Sequence, residues 1–481
     1  MKKFLILISL FSSFHLSMAQ SSILDDFLSS ETIVPASVGL LIRNMETGEV
    51  VASHDPMVCR NPASVTKVVT TATAMEILTD TFRFKTRIEL SGNVEDSVLY
   101  GNLYIRGGGD PTLESAYSTQ GKFVKAVVDT IKGLGIKKIA GSIVGDATYF
   151  REDGAPFNWL VEDVGSSYSP TPSSLSVYDN MLNFVLTSDS NGISMSKLTP
   201  ETNLFYPVIE MSQIPDKQAG WRFTKPDFSW TPIIRGNLPL GVCQYMKTEI
   251  PEPAMMVADI IRKKLTSNGV EVEYGATTTR WMNADADSLR REIFCYQSAI
   301  LKDIERITNY KSINLFAENI FLTIPHAKDE KTPSTTWSAA STIAKFWKEK
   351  GIRSDRIFQV DGSGMSMKNA ISPQFIVDVL TYMHRNSRYS SSFYNTLPTA
   401  GRNGTVTSFL KGTKLEGQAR IKSGSMERVQ NYAGYINANG KWYAFCIMVS
   451  NFSGQRKPVV KQIASLLNDL IAEDGKLIKN K

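Results

Sequence analysis

Ser64 and Lys67 place a hydroxyl and an amine three residues apart in the run Asn61-Pro62-Ala63-Ser64-Val65-Thr66-Lys67-Val68-Val69-Thr70-Thr71-Ala72. Pro62 fits at or just before the first turn of a helix, and small or apolar residues follow it. On a helix, residues three apart share one face, with Cβ atoms roughly 5–6 Å apart. Lys67 is therefore spaced to take the proton of Ser64 as that serine attacks a carbonyl. A lysine in water titrates near about 10.4 and carries charge at neutral pH. Burial beside Val68, Val69 and Met75 would favour the neutral base that such chemistry needs. Two further groups lie downstream. Ser312-Ile313-Asn314 precedes a helical stretch from Leu315 to Leu322, and Lys422-Ser423-Gly424 ends a predicted strand. Each of the three is common alone, the second as a helix start and the third as a strand end.

The elements that must position these groups are clearest at the two ends of the chain. A short helical pattern near Ile23 to Leu28 leads into a hairpin, Val38 to Ile42 and Val50 to Ser53, turning at Met45-Glu46-Thr47-Gly48. The Ser64 helix follows and ends near Leu78. At the other end, Ala419 to Lys422, Tyr432 to Asn437 and Trp442 to Val449 read as three antiparallel strands, the last two joined by a turn around Asn437-Ala438-Asn439-Gly440. Val459, Val460, Ile463, Leu466, Leu467, Leu470 and Ile471 then trace one apolar helix face. Both ends together predict one sheet covered by the terminal helices. Between them, short strands such as Leu99 to Arg106 and Ile139 to Val144 alternate with Gly, Pro, Asp and Ser turns up to about residue 294. Helical periodicity returns at Ala254 to Leu265, Ile313 to Leu322 and Ser338 to Lys348. The Ser64 helix thus belongs to a catalytic domain split by a long insertion.

Residues 1–19 read as a secretory signal peptide: Lys2 and Lys3, an apolar run from Phe4 to Phe11, and a small-x-small site at Ser17-Met18-Ala19. No later stretch reaches the roughly 18 unbroken apolar residues of a spanning helix, so the mature chain is expected to have no transmembrane segment. Removing 19 of the 481 residues leaves 462, enough for two or three domains, and lowers the formal charge from +6 to +4. That excess is too mild and dispersed to argue for nucleic acid. Cys59, Cys243, Cys295 and Cys446 show no disulfide framework, leaving bridges and free thiols both open. Only His54, His326 and His384 survive processing, so neither metal-ligand spacing nor a supported Ser-His-Asp triad is present. Gly107-Gly108-Gly109-Asp110 lacks the Gly-Lys-Ser/Thr of a phosphate loop and reads as a turn. No metal and no cofactor are expected.

In this order, Ser-x-x-Lys, Ser-x-Asn and Lys-Ser/Thr-Gly are the set used by penicillin-recognising serine enzymes. From Ser64 to Ser312 is 248 residues, far more than a single-core hydrolase needs, and from Ser312 to Lys422 is 110. The chain resembles the D-alanyl-D-alanine carboxypeptidase/endopeptidase family, the class C low-molecular-mass penicillin-binding proteins, through nearly its whole mature length. Gly109-Asp110-Pro111-Thr112-Leu113, Gly141-Ser142-Ile143-Val144-Gly145-Asp146, Asp361-Gly362-Ser363-Gly364-Met365-Ser366, Gly404-Thr405-Val406 and Tyr432-Ala433-Gly434-Tyr435 carry the resemblance further. Ser423 stands where threonine is usual and Met365 where leucine is, a volume-conserving change.

The resemblance implies an α+β fold, an antiparallel sheet with helices on both faces, as in penicillin-binding proteins and serine β-lactamases. The catalytic domain would comprise residues 20–88 and 295–481, with residues 89–294 inserted. Ser64 would be the nucleophile and Lys67 the base, while Ser312 relays a proton to the leaving amine and Asn314 positions Lys67 and the substrate amide. Lys422 would supply positive field, and Ser423, Gly424 and Ser425 would bind substrate, the Ser64 and Ser425 amides forming the oxyanion hole. The implied partner is peptidoglycan, at its D-Ala-D-Ala stems or cross-links in the periplasm or cell envelope, with β-lactams as covalent inhibitors. A β-lactamase and a penicillin-binding sensor or scaffold without turnover are the alternatives. Asp110 and Asp146 read as turn formers, and His326 and His384 as packed or surface residues. Trp221, Trp230 and Trp281 read first as packing residues and second as a glycan surface.

Overall fold

A computed structural model describes residues 22–479 apart from 119–120, 152–153, 216–217, 225–228, 283–288, 330 and 439. The expected signal peptide and part of the Asn437-Ala438-Asn439-Gly440 turn lie outside the described residues. The chain forms two compact units. The first comprises the chain up to Asp80, Glu305–Ile313 and Ala340 onward; the second comprises Thr81–Ile304 and Asn314–Ala339. The expected boundaries at 88/89 and 294/295 fall inside strands Lys85–Ser91 and Arg290–Gln297, which pair with each other in the second unit.

The first unit is built on β1 (Ser37–Asn44), β2 (Val50–His54), α1 (Thr66–Leu78), α2 (Leu301–Lys311, entering this unit at Glu305), α3 (Pro373–Arg385), β3 (Ala419–Met426), β4 (Val429–Ala438), β5 (Lys441–Ser450) and α4 (Arg456–Lys479). The strands form one antiparallel sheet in the order β2-β1-β5-β4-β3, so the two chain ends share it. Alternation sorts the side chains by face. Leu40 and Ile42, opposite Ile447 and Phe445, join Ile421 and the α4 residues Val459, Ile463, Leu467 and Leu470 in one buried cluster. Each such side chain contributes about 1.5–3 kcal/mol relative to exposure. Residues 22–28 pack on this side too, through Phe27. The opposite face is covered by α3, where the Tyr435 hydroxyl donates to the Leu380 carbonyl at 2.8 Å. The sheet therefore carries helices on both faces, with both terminal helices on one of them.

Helix α1 is buried on nearly every side; only Glu76 and Ile77 reach partial exposure. Its threonines and valines are poor helix formers, so burial rather than propensity makes it helical. Thr71 and Thr73 return their hydroxyls to the carbonyls four residues back at 2.7 Å, satisfying them away from water. Beside it on α2, Glu305 is fully buried and neither carboxyl oxygen has a hydrogen-bond partner among the described residues. Burial, and after it the Asp80 carboxylate, push Glu305 well above the ordinary glutamate range. The folded state then holds a proton that the unfolded chain releases, so stability falls as pH rises from about 4.3 toward the raised value. Glu305→Gln is expected to remove that slope, its urea midpoint gaining on wild type between pH 5 and pH 8. Equal midpoint differences at the two values would refute it.

In the second unit, two segments predicted as single strands are each divided. Val98–Tyr100 belongs to a four-stranded sheet and Leu103–Arg106 to a five-stranded one; Lys138–Ile139 and Ile143–Asp146 divide the same way. Gly101 and Gly141 lie at the breaks. A Cβ on Gly101 would sit 2.0 Å from the Ser91 carbonyl oxygen, and one on Gly141 would sit 2.1 Å from that of Gly101. The backbones approach too closely for side chains there, so the sheet bends and changes partners. Helices Phe123–Gly133 and Pro253–Ser267 pack with these strands around Ile105, Ile143, Val127 and Ile261. A β-rich portion follows, with sheets built on Met181–Asp189 and Ile233–Pro239. Asp110 and Asp146 each accept from the backbone N–H and hydroxyl of the threonine two residues on, Thr112 and Thr148. Burial pushes Asp110 up to about 6 despite those bonds. The four cysteines are unpaired. Among the described residues no helix is long and apolar enough to cross a membrane.

Candidate active site

Ser64 sits in a 3-10 turn, Ala63–Val65, that leads directly into α1. The turn is strained, with Ala63 at φ 45°, a region that costs a non-glycine residue about 1–3 kcal/mol. Its surroundings hold it there. The Asn61 carboxamide oxygen accepts the Ala63 N–H at 2.8 Å, its amide donates to the Ser366 carbonyl at 3.2 Å, and Asn431 on β4 donates to the Asn61 carbonyl at 2.9 Å. Glycines close on it from two directions. A Cβ on Gly424 of β3 would lie 2.6 Å from the Pro62 oxygen and 3.0 Å from the Ser64 nitrogen. On Gly364, at φ +85°, it would lie 1.9 Å from the Ala63 oxygen. Any side chain at either position would push Ser64 out of place.

One turn along α1, Lys67 is fully buried. Its Nζ donates to the Ser64 hydroxyl at 3.0 Å and to the Ser363 carbonyl at 2.7 Å. The first distance lies within the roughly 2.6–3.2 Å reach of a general base. The second depends on the shape of the 361–366 loop. There the buried Asp361 carboxylate accepts from the Gly364 and Ser366 backbone N–H groups at 2.8 and 2.6 Å and from Asn369 at 2.9 Å. Thr70 on α1 ties to the same loop, donating to the Gly362 carbonyl at 2.7 Å. Ser64 and Lys67 are thus fixed by a loop almost 300 residues away in the chain.

Ser312 ends α2 in the left-handed conformation, φ 57°, and the next N–H, of Ile313, donates to the Thr308 carbonyl. This is the Schellman arrangement, in which glycine usually takes the left-handed position. Serine there has a compensating contact: the Lys422 Nζ donates to its hydroxyl at 2.9 Å and to the Ser423 carbonyl at 2.7 Å. Burial, and after it the charge of Lys67, hold the Lys422 amine well below the ordinary lysine range. The Ser423 hydroxyl lies 2.7 Å from that of Thr405, and the Ser425 hydroxyl donates to Gln430 at 3.0 Å. Replacing Ser312 by glycine is expected to relieve the strain yet slow turnover by about 100-fold or more. A melting temperature at or above wild type with lost activity would bear this out; normal turnover would remove Ser312 from the reaction.

Ser64, Lys67, Ser312, Lys422, Ser423, Gly424 and Ser425 all belong to the first unit, and contacts within that unit tie them together. Asn314 falls in the second unit, where its amide donates to the Tyr168 carbonyl at 2.7 Å. The sequence reading gave no role to Asn61, Ser363, Asp361, Thr405 or Asn431. Four of the five lay within quoted motifs; Asn431, one residue before Tyr432-Ala433-Gly434-Tyr435, acts through its amide, which no spacing rule anticipates. His326, stacked on Tyr149, and His384, beside Tyr435 and Trp442, are ring-packing residues.

The profile of the peptidase family described as D-Ala-D-Ala carboxypeptidase 3 (S13) matches residues 20–470. The chain is 24% identical over 454 residues to D-alanyl-D-alanine carboxypeptidase DacB of Haemophilus influenzae, covering 90% of this chain and 91% of that one. It is also 24% identical over 464 residues to the D-alanyl-D-alanine carboxypeptidase of Actinomadura sp. strain R39, covering 90% and 81%. Among solved structures, penicillin binding protein 4 (DacB) of Haemophilus influenzae superposes with a TM-score of 0.81 at 22% identity, covering 93% of this chain and 98% of that one. A predatory endopeptidase of Bdellovibrio bacteriovorus shares the fold with a TM-score of 0.52 at 15% identity, over 91% and 94%.

Proposed function

Because the chain belongs to the D-Ala-D-Ala carboxypeptidase 3 (S13) family, we propose that it is an exported serine peptidase of the cell envelope, working through a Ser64 acyl-enzyme on peptidoglycan stem peptides and cross-links. The observation that carries this is the Lys67 Nζ to Ser64 Oγ distance of 3.0 Å, with Lys67 held from behind by Ser363. Ser64 attacks the carbonyl of the penultimate D-alanine while Lys67 takes its proton. The oxyanion rests on the Ser64 and Ser425 N–H groups, which the close approach of Gly424 to the Ser64 turn supports. Lys422 donates to the Ser312 oxygen, leaving the Ser312 hydroxyl to relay a proton: it gives its own to the leaving nitrogen as the C–N bond breaks and recovers the Ser64 proton held by Lys67. Water then releases the acyl group from Ser64. Ser423, with Thr405 beside it and Lys422 behind, receives the terminal carboxylate. β-Lactams enter as covalent inhibitors through the same attack, in keeping with the solved Haemophilus influenzae relative complexed with a β-lactam.

Carboxypeptidase and endopeptidase reactions share this chemistry, and defined substrates separate them. Purified protein and its Ser64→Ala variant are given monomeric pentapeptides and cross-linked dimers, with products resolved by mass. Ser64-dependent loss of D-alanine establishes the first activity, and conversion of dimers to monomers the second. Neither product from a folded protein that a β-lactam acylates at Ser64 would favour a sensor or scaffold. Fast β-lactam turnover in place of both would favour a β-lactamase.

A further inference from the structure

The sequence reading assigned Trp281 first to packing, yet its side chain is 69% exposed. It is also held in place. The indole N–H donates to the Glu252 carboxylate at 3.3 Å, and Glu252 is itself only 4% exposed. The same carboxylate accepts the Thr278 hydroxyl at 3.2 Å and pairs with the Arg280 guanidinium at 3.5 Å. One buried acid therefore fixes two neighbouring planar side chains at the surface of the second unit. Beside them opens a cavity of about 190 Å³ whose walls include Thr148, Phe150, Glu252, Thr279 and Arg280.

The chemistry of this place narrows what it would take. The walls combine hydroxyls, a guanidinium and an apolar surface. Glu252 and Arg280 neutralise each other, so a charged ligand would find no uncompensated partner and would lose its hydration without return. A rigid exposed indole suits a ligand with a flat C–H face, because no side-chain freedom is lost on contact. A pyranose ring has both properties, being neutral, rich in hydroxyls and apolar on one face. We propose that Trp281, Arg280 and Thr279 with the adjoining cavity form a saccharide subsite for the N-acetylated amino-sugar chain of the polymer whose peptides Ser64 cuts. The inference rests on the peptidase reading above and deepens it: the enzyme grips the glycan as well as the peptide.

The full-length protein is titrated calorimetrically with a β-1,4-linked tetramer of N-acetylglucosamine, alongside Trp281→Ala and Trp281→Phe. Saturable binding is expected, about tenfold weaker or worse in Trp281→Ala and largely retained in Trp281→Phe. In parallel, the ratio of activity on glycan-linked pentapeptide to activity on sugar-free pentapeptide should fall several-fold in Trp281→Ala. No saturable binding by the wild type, or equal binding by Trp281→Ala, would overturn the subsite. Trp281-dependent binding of the sugar-free peptide in place of the tetramer would overturn it as well. Absence of Ser64-dependent hydrolysis on both substrates would instead strike the peptidase reading, with the titration still deciding the saccharide question.

Discussion

Ser64→Ala is expected to abolish covalent labelling by a β-lactam, and Lys67→Ala to slow it by about 10²- to 10⁴-fold, the usual worth of a positioned general base. The two residues act as one unit, since the Lys67 amine reaches the Ser64 hydroxyl at 3.0 Å and also donates to the Ser363 carbonyl. Their effects should therefore fail to add: on a slow pentapeptide assay the double variant should be no worse than Ser64→Ala alone. The comparison needs a folding control, because Lys67 is a long side chain with no exposure and its removal leaves a gap against the 361–366 loop. Lys67→Met fills most of that volume without a base, so its labelling rate separates chemistry from packing. Labelling by mass over time, with melting temperatures for each variant, decides the matter. Near-normal labelling of Lys67→Met would show that some other group accepts the Ser64 proton.

What the sequence discloses and what it hides follow a physical division. The terminal sheet was legible because alternation and helical period are local: β1, β5 and α4 all emerged from patterns within a dozen residues. The candidate site residues stood out for another reason, the fixed order of three short motifs. The clamps on the Ser64 turn were not. Gly424 closes on Ser64 from 360 positions away, and Gly364 on Ala63 from 301, with no periodicity linking them. The left-handed state of Ser312 was hidden as well, because nothing in a serine announces a position that glycine normally fills. The predicted strand over Leu99 to Arg106 joined two pieces for a related reason: Gly101 is a close approach to the Ser91 backbone, visible only once the partner strand is in place. Trp281 shows the converse, a residue whose composition-based reading as a packing aromatic gave way to a fixed, exposed ring.

Lys422 should show activity and stability pulling in opposite directions. Its amine is buried, and the charge of Lys67 adds to the cost of protonating it. Its folded pKa is depressed, so between that value and the ordinary lysine pKa of about 10.4 the unfolded chain binds more protons than the folded one. Stability therefore rises with pH across this window, and below it the full cost of the buried charge is present. Lys422→Met removes the charge while keeping much of the volume, so the variant should unfold at higher urea than wild type at neutral pH. Its advantage should shrink as pH rises toward 10. The same variant loses the donor that fixes the Ser312 hydroxyl and the positive field beside Ser423. Turnover should drop by about 10²-fold or more, the scale of a lost electrostatic contact in a dry site. Unfolding midpoints at pH 7 and pH 9.5, read with pentapeptide turnover, test both halves. A variant less stable than wild type at pH 7 would mean that the Lys422 hydrogen bonds outweigh its desolvation. A variant that is more stable and fully active would mean that Ser312 does its part without a donor from Lys422.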